Sequence, residues 1–364
     1  MPALYQLAVL GEPSEEQLAS VRACVSDAVG AFGLSIGTDV EWNVRPASFT
    51  PVQARTAAAV YFGHTNPAAD GNLEHLRDRA IPLLPVVSNL QRVSDEIPES
   101  LRPFNCLDYG DGGAQRVATA LLECCGLLRP QRRLFLSYKR TEARAAALQL
   151  FDEFSARVFD VFLDTHGVPP AADFQSVLWH RLCDSDVLVM LDTPSYFESR
   201  WTAAEFGRAL AKDIAVLRVG WPNATACPRA ATASRVDLAV EELDDASGRL
   251  EASAIRRICT QVEAVRSEGY AVRTVNLVSN LRIAIEKIGG RVLGIGLHKG
   301  VHLELPDGGR VTVYPTIGVP TAVTLHDAAL NCANNSAAVV YDPVGRATWE
   351  GSLSCLAPRG HLVC

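Results

Sequence analysis

Apolar positions along this chain fall into short blocks separated by stretches with helical spacing. Residues 5–10 form the first block. Ser14-Glu15-Glu16-Gln17 then has the form of a helix-capping box, and Leu18, Val21, Ala23, Val25, Val29 and Phe32 follow at mostly helical intervals. Apolar blocks return at 57–62 and 81–87, with helix-like stretches between and after them. Strand and helix in alternation predict a parallel sheet covered by helices.

The rhythm is cleaner from about 132 to 222. Leu134-Phe135-Leu136-Ser137-Tyr138 reads as a strand, and 143–156 as a helix with Ala147, Leu148, Phe151 and Phe154 on one side. A second strand at 158–163 leads into a loop punctuated by Gly167, Pro169 and Pro170. A helix at 174–182 follows, then a continuous apolar run at 186–191 of the kind buried in a central parallel strand. Residues 201–212 read as a helix and 214–219 as another strand. Residues 223–250 are polar and read as a surface connection, while 252–267 and 277–288 read as two helices. Beyond Gly290, segments 301–305 and 310–314 flank Pro306-Asp307-Gly308-Gly309, a hairpin signal. Residues 337–341 are a further strand candidate, and the tail after Trp349 has no clear periodicity.

This pattern predicts an α/β fold in three parts: 1–130, a core at 131–222 that the following helices extend to about 270, and a hairpin-containing region at 290–364. The first two parts share strand–helix order and similar length, and so read as divergent copies of one α/β unit. An unrelated flavodoxin-like domain stays open for the first.

Composition narrows the function classes. The chain has 364 residues, 48% hydrophobic and 21% charged, which excludes wholesale disorder. A net charge of −7 argues against a non-specific nucleic-acid binder, which needs a basic face. No apolar run reaches the roughly 18 residues of a membrane span. The first residues lack a basic signal-peptide region, so the expected location is the cytoplasm. Ten cysteines are scattered without a CxxC pair, which gives no zinc or redox motif. His361 and Cys364 have ligand-like spacing but no partner pair, so no metal is expected. Gly294-Ile295-Gly296-Leu297-His298-Lys299-Gly300 is one residue too long for a dinucleotide fingerprint and precedes a hairpin rather than a helix.

Four stretches of the middle part, taken in order, resemble a Toll/interleukin-1 receptor (TIR) domain. Arg133-Leu134-Phe135-Leu136-Ser137-Tyr138-Lys139-Arg140 is similar to the family's first box. Val161-Phe162-Leu163-Asp164-Thr165-His166-Gly167-Val168-Pro169 resembles its second strand and BB loop. Leu182-Cys183-Asp184-Ser185-Asp186-Val187-Leu188-Val189-Met190-Leu191 resembles the next strand entry, and Ser199-Arg200-Trp201-Thr202-Ala203-Ala204-Glu205 has the Ser-x-Trp-x-x-x-Glu form of the enzymatic branch. In the first part, 81–87 and 96–103 resemble the last strand and tail of a TIR-like domain. That part has no Ser-Tyr box and no Ser-x-Trp-x-x-x-Glu, which implies a non-catalytic copy.

The resemblance implies a flavodoxin-like sheet and cleavage of NAD⁺, as substrate rather than cofactor, between nicotinamide and ribose. Its products are nicotinamide and ADP-ribose, linear or cyclic. It further implies self-association through TIR domains and a role in bacterial anti-phage signalling. The nicotinamide leaves neutral, so no proton donor is needed, and one carboxylate near the ribose suffices to steady the oxocarbenium-like transition state. Glu205 is that residue by resemblance, with Trp201 one helical turn earlier. Its plain alternative is a helix-surface residue pairing with Arg208, with Trp201 in the core. Ser137, Tyr138, Lys139 and Arg140 follow the first strand, where ligands sit in such sheets. Lys139 and Arg140 are expected to meet the diphosphate, or else to be a solvated helix start, and Asp164 to serve either the ligand or its loop. The competing function is a non-enzymatic TIR adaptor.

Overall fold

The computed structural model describes residues 3–67, 71–128, 131–163, 174–225, 227–244, 246–315 and 337–338. The chain divides into two compact units. One comprises Met1–Gly30, Leu34–Leu127 and Ala271–Cys364; the other comprises Ala31–Gly33 and Leu128–Tyr270.

The first unit opens with β1 (Tyr5–Gly11) and α1 (Glu15–Gly30). The capping box forms as expected: the Gln17 amide donates to Ser14 Oγ at 3.1 Å, and the Ser14 amide to Gln17 Oε1 at 2.8 Å. There follow β2 (Val40–Val44), β3 (Thr56–Phe62), α2 (Gly71–Asp78), β4 (Leu83–Val87), the short α3 (Val93–Glu96), β5 (Leu107–Asp108) and α4 (Gly113–Cys124). The sheet order is β2-β1-β3-β4-β5, with every pairing parallel. β2 escaped the sequence reading because Glu41, Trp42 and Asn43 are only half-buried on an edge strand.

The second unit repeats the plan. It runs β6 (Arg133–Tyr138), α5 (Arg140–Ala156), β7 (Asp160–Leu163), α6 (Phe174–Cys183), β8 (Val187–Asp192), α7 (Arg200–Ala211), β9 (Ala215–Gly220) and β10 (Ser234–Asp237). The parallel order β10-β9-β8-β6-β7 matches the first sheet strand for strand. Central β8 is buried along its whole length, as its apolar run predicts. The alternation of a strand sends Leu134, Leu136 and Tyr138 of β6 into one core, and Phe135 into another with Leu178, Leu182 and Phe206.

Two expectations are corrected. Residues 223–250 are more than a surface connection: they supply β10, then β11 (Leu243–Asp244) and β12 (Arg249–Leu250), which pair antiparallel. β10 is hard to read because Ser-Arg-Val-Asp carries little apolar character; its pairing with β9 defines it. The two helices expected at 252–267 and 277–288 are one 36-residue helix, α8 (Ala252–Lys287). Gly269, which suggests a break, instead marks close packing, since a Cβ there would lie 2.9 Å from that of Ala215.

Within the first unit, Val278, Leu281 and Ile285 of α8 pack on β13 (Arg291–Ile295), β14 (Val301–Glu304) and β15 (Arg310–Val313). These strands pair antiparallel in turn, and β16 (Ala337–Ala338) lies parallel to β15. The expected hairpin turns at Gly308, whose φ of +80° suits glycine. The rest of the 337–341 candidate, and His361 and Cys364, lie outside the described residues.

Candidate active site

The carboxyl ends of β6 and β8 lie side by side, with Ser137 opposite Met190 and Tyr138 opposite Leu191. In a parallel sheet of this order the two strands flank the point where the strand order reverses, the usual place for a ligand. The turn after β8 carries Tyr196 and leads into α7 at Ser199. Thr202 fastens that entry: its hydroxyl donates to the Tyr196 carbonyl and lies 3.2 Å from the Ser199 carbonyl.

From there α7 carries Glu205 inward, to 5% exposure. The Ser137 hydroxyl donates to Glu205 Oε2, and the Tyr196 hydroxyl lies 2.7 Å from Ser137 Oγ. Burial, then the Glu205 charge, push the Tyr196 phenol well above its usual range; Asp192 adds to this and the Ser137 hydrogen bond opposes it. A buried carboxylate with an ordered hydroxyl has the chemistry to hold sugar hydroxyls and steady a developing cation. Glu205 is thus not a helix-surface residue, and Arg208 instead lies over the Trp179 ring at 4.6 Å.

The other expected site residues separate. Tyr138 faces the opposite side of the sheet from Ser137, within the apolar core there. Lys139 lies 3.2 Å from Glu142 and 3.5 Å from Glu198. Desolvation raises the Glu142 carboxyl, but hydrogen bonds from Thr193, Ser195 and Lys139 outweigh it and bring the pKa down to about 2. Arg140 is exposed at the first position of α5. Trp201 is 40% exposed and therefore not core, with the Arg200 guanidinium 4.7 Å over its ring. Asp164 and the BB-like loop lie outside the described residues.

Two features went unread in the sequence. Tyr196 is one. The other is Arg218 of β9, buried, whose Nε donates to Asp192 Oδ2 at 2.5 Å and whose Nη1 donates to Asp237 Oδ1 at 3.1 Å. An arginine within the apolar run 214–219 was the available signal. Among the described residues no cluster of three or more His, Cys, Asp or Glu could hold a metal ion, and no helix is long and apolar enough to cross a membrane.

Residues 134–251 match the family model described as TIR domain, which places a TIR domain in the second unit. No curated protein matches the chain. Among solved structures the chain is similar to the crystal structure of tagatose-6-phosphate ketose/aldose isomerase from Escherichia coli. That similarity has 11% identity and a TM-score of 0.21, covering 74% of this chain and 82% of that one.

Proposed function

We propose that this chain is a TIR-domain NAD⁺ glycohydrolase with Glu205 as its working carboxylate. The observation that supports this most is the buried Glu205 held by Ser137 at the carboxyl ends of β6 and β8. In the proposed reaction the nicotinamide–ribose bond breaks and its electron pair leaves with nicotinamide, which departs neutral. Positive charge gathers on the ribose carbon and ring oxygen, opposite the Glu205 carboxylate. Water then closes the reaction to linear ADP-ribose and a proton, or an adenine nitrogen of the same molecule closes it to a cyclic isomer. Lys139 and Arg140 are proposed for the diphosphate, Trp201 for a ring face, and Asp164 for the ribose or its loop.

The burial of Glu205 also favours a second reading. There the carboxylate only ties α7 to β6, and the domain acts as an adaptor through TIR–TIR assembly. Nicotinamide release from NAD⁺ by the purified chain, over a range of protein concentrations and beside Glu205→Ala, separates the two. The enzyme reading expects turnover that rises more than linearly with protein and vanishes in the variant. Silence of the parent chain even at high concentration favours the adaptor. Equal turnover by both proteins rejects Glu205.

A further inference from the structure

We propose that Tyr196 is a positioning residue of this site, whose hydroxyl acts on Glu205 through Ser137. The inference rests on the reading of Glu205 as the working carboxylate. An ionised carboxylate only accepts hydrogen bonds, and each hydroxyl has one proton to give. Ser137 gives its proton to Glu205 Oε2. The contact of 2.7 Å between Ser137 Oγ and the Tyr196 hydroxyl must therefore be a bond that Tyr196 donates. The relay runs one way, from phenol to serine to carboxylate, and each bond polarises the next.

Tyr196 is built to hold its end still. It has no solvent exposure, and its ring meets Phe197 edge-to-face at 5.1 Å. Its amide donates to the Thr193 carbonyl at 3.0 Å, and its carbonyl accepts from Thr202. Glu142 of α5 secures the same turn, accepting from the Ser195 amide at 3.2 Å. Asp192 at the end of β8, which also acts on the Tyr196 phenol, is paired by Arg218 of β9. The relay thus supplies hydrogen bonding that favours the charged form of a buried carboxylate and points it one way, without touching substrate itself.

The test is the titration of the Glu205 side-chain carboxyl, followed by carbon-13 NMR in the full chain. In Tyr196→Phe its midpoint should rise by about one pH unit, because the charged form loses polarised support. In Ser137→Ala the midpoint should rise as well, and adding Tyr196→Phe to Ser137→Ala should move it no further. Replacing Tyr196 by 3,5-difluorotyrosine, a stronger donor of the same shape, should lower the midpoint, which keeps the test alive should the phenylalanine variant fold poorly. An unmoved midpoint in the phenylalanine and fluorotyrosine proteins overturns the relay, as does an undiminished effect of Tyr196→Phe in the Ser137→Ala background. This readout needs no turnover, so a chain that does not cleave NAD⁺ rejects the proposed function without deciding the relay. In an active chain, the acidic limb of the pH profile of kcat/KM should move with the same midpoint.

Discussion

In the first sheet, Leu10 near the end of β1 and Leu76 of α2 belong to one apolar core, and neither has more than 1% of its surface exposed. In the second sheet, β6 and α7 occupy the same places in the same strand order, but Ser137 and Glu205 meet there instead. Both pairs are shut away from water. One pair contributes apolar burial, while the other carries a charge whose desolvation must be offset by hydrogen bonds. The contrast separates two things a fold does. Topology brings strand ends and a helix together, and the side chains placed there decide whether the junction is core or chemistry.

Exchanging the character of the junctions tests that contrast most strongly. Carrying the first junction's character into the second, as Ser137→Ala with Glu205→Leu, should reduce nicotinamide release by more than about 100-fold. Stability in urea should stay within about 1 kcal/mol once Tyr196→Phe is added, since Ser137, Glu205 and the Tyr196 hydroxyl then leave together. Leu76→Ala in the first junction should do the reverse. It should cost roughly 2–5 kcal/mol of unfolding free energy, through lost burial and a cavity. Urea unfolding followed by tryptophan fluorescence reads both.

Acid separates the two units by a different route. Burial holds the His302 imidazole down at a pKa of about 4, and its Nδ1 lies 3.0 Å from Thr312 Oγ1. The folded first unit therefore prefers neutral His302. Its contribution is complete above the unfolded histidine pKa and is lost as pH falls from about 6.5 to 4, amounting to about 3 kcal/mol. Glu142 of the second unit, held down at about 2, gives up its contribution only as pH falls below the ordinary carboxylate value of 4.5 towards 2. On acidification, amide hydrogen exchange should thus accelerate first in β14 and β15, and only later around the 193–196 turn. His302→Gln should flatten the first of these responses. Equal onset in both regions would refute the assignment of the acid response to His302.

The smallest expected effect concerns the cap of α1. Ser14→Ala should cost about 1 kcal/mol in urea, through loss of the bond that the Gln17 amide makes to its hydroxyl.

Legibility followed burial. β6 and β8 announced themselves as apolar runs because both faces of a central parallel strand are covered. β2 and β10 did not, since edge strands with half-exposed positions need little apolar character. α8 is one helix where two were expected, and Gly269 near its middle packs closely against Ala215. In the site, Glu205 and Ser137 were legible by resemblance, but their meeting depends on the register of β6 against β8 and on the entry of α7. Tyr196 had no signal, because a buried tyrosine in a turn has no spacing to betray it. Tyr138 shows the limit of neighbourhood in sequence: one residue from Ser137, it faces the other side of the sheet.

Glu205→Gln puts the account to its most direct trial. The amide keeps the size of the side chain and an oxygen for Ser137, so the fold should persist with an unchanged melting profile. Nicotinamide release, measured beside the parent chain under conditions where the parent turns over NAD⁺, should fall by more than about 100-fold. A glutamine variant that releases nicotinamide at the parent's rate would contradict the claim that this buried carboxylate does the chemistry.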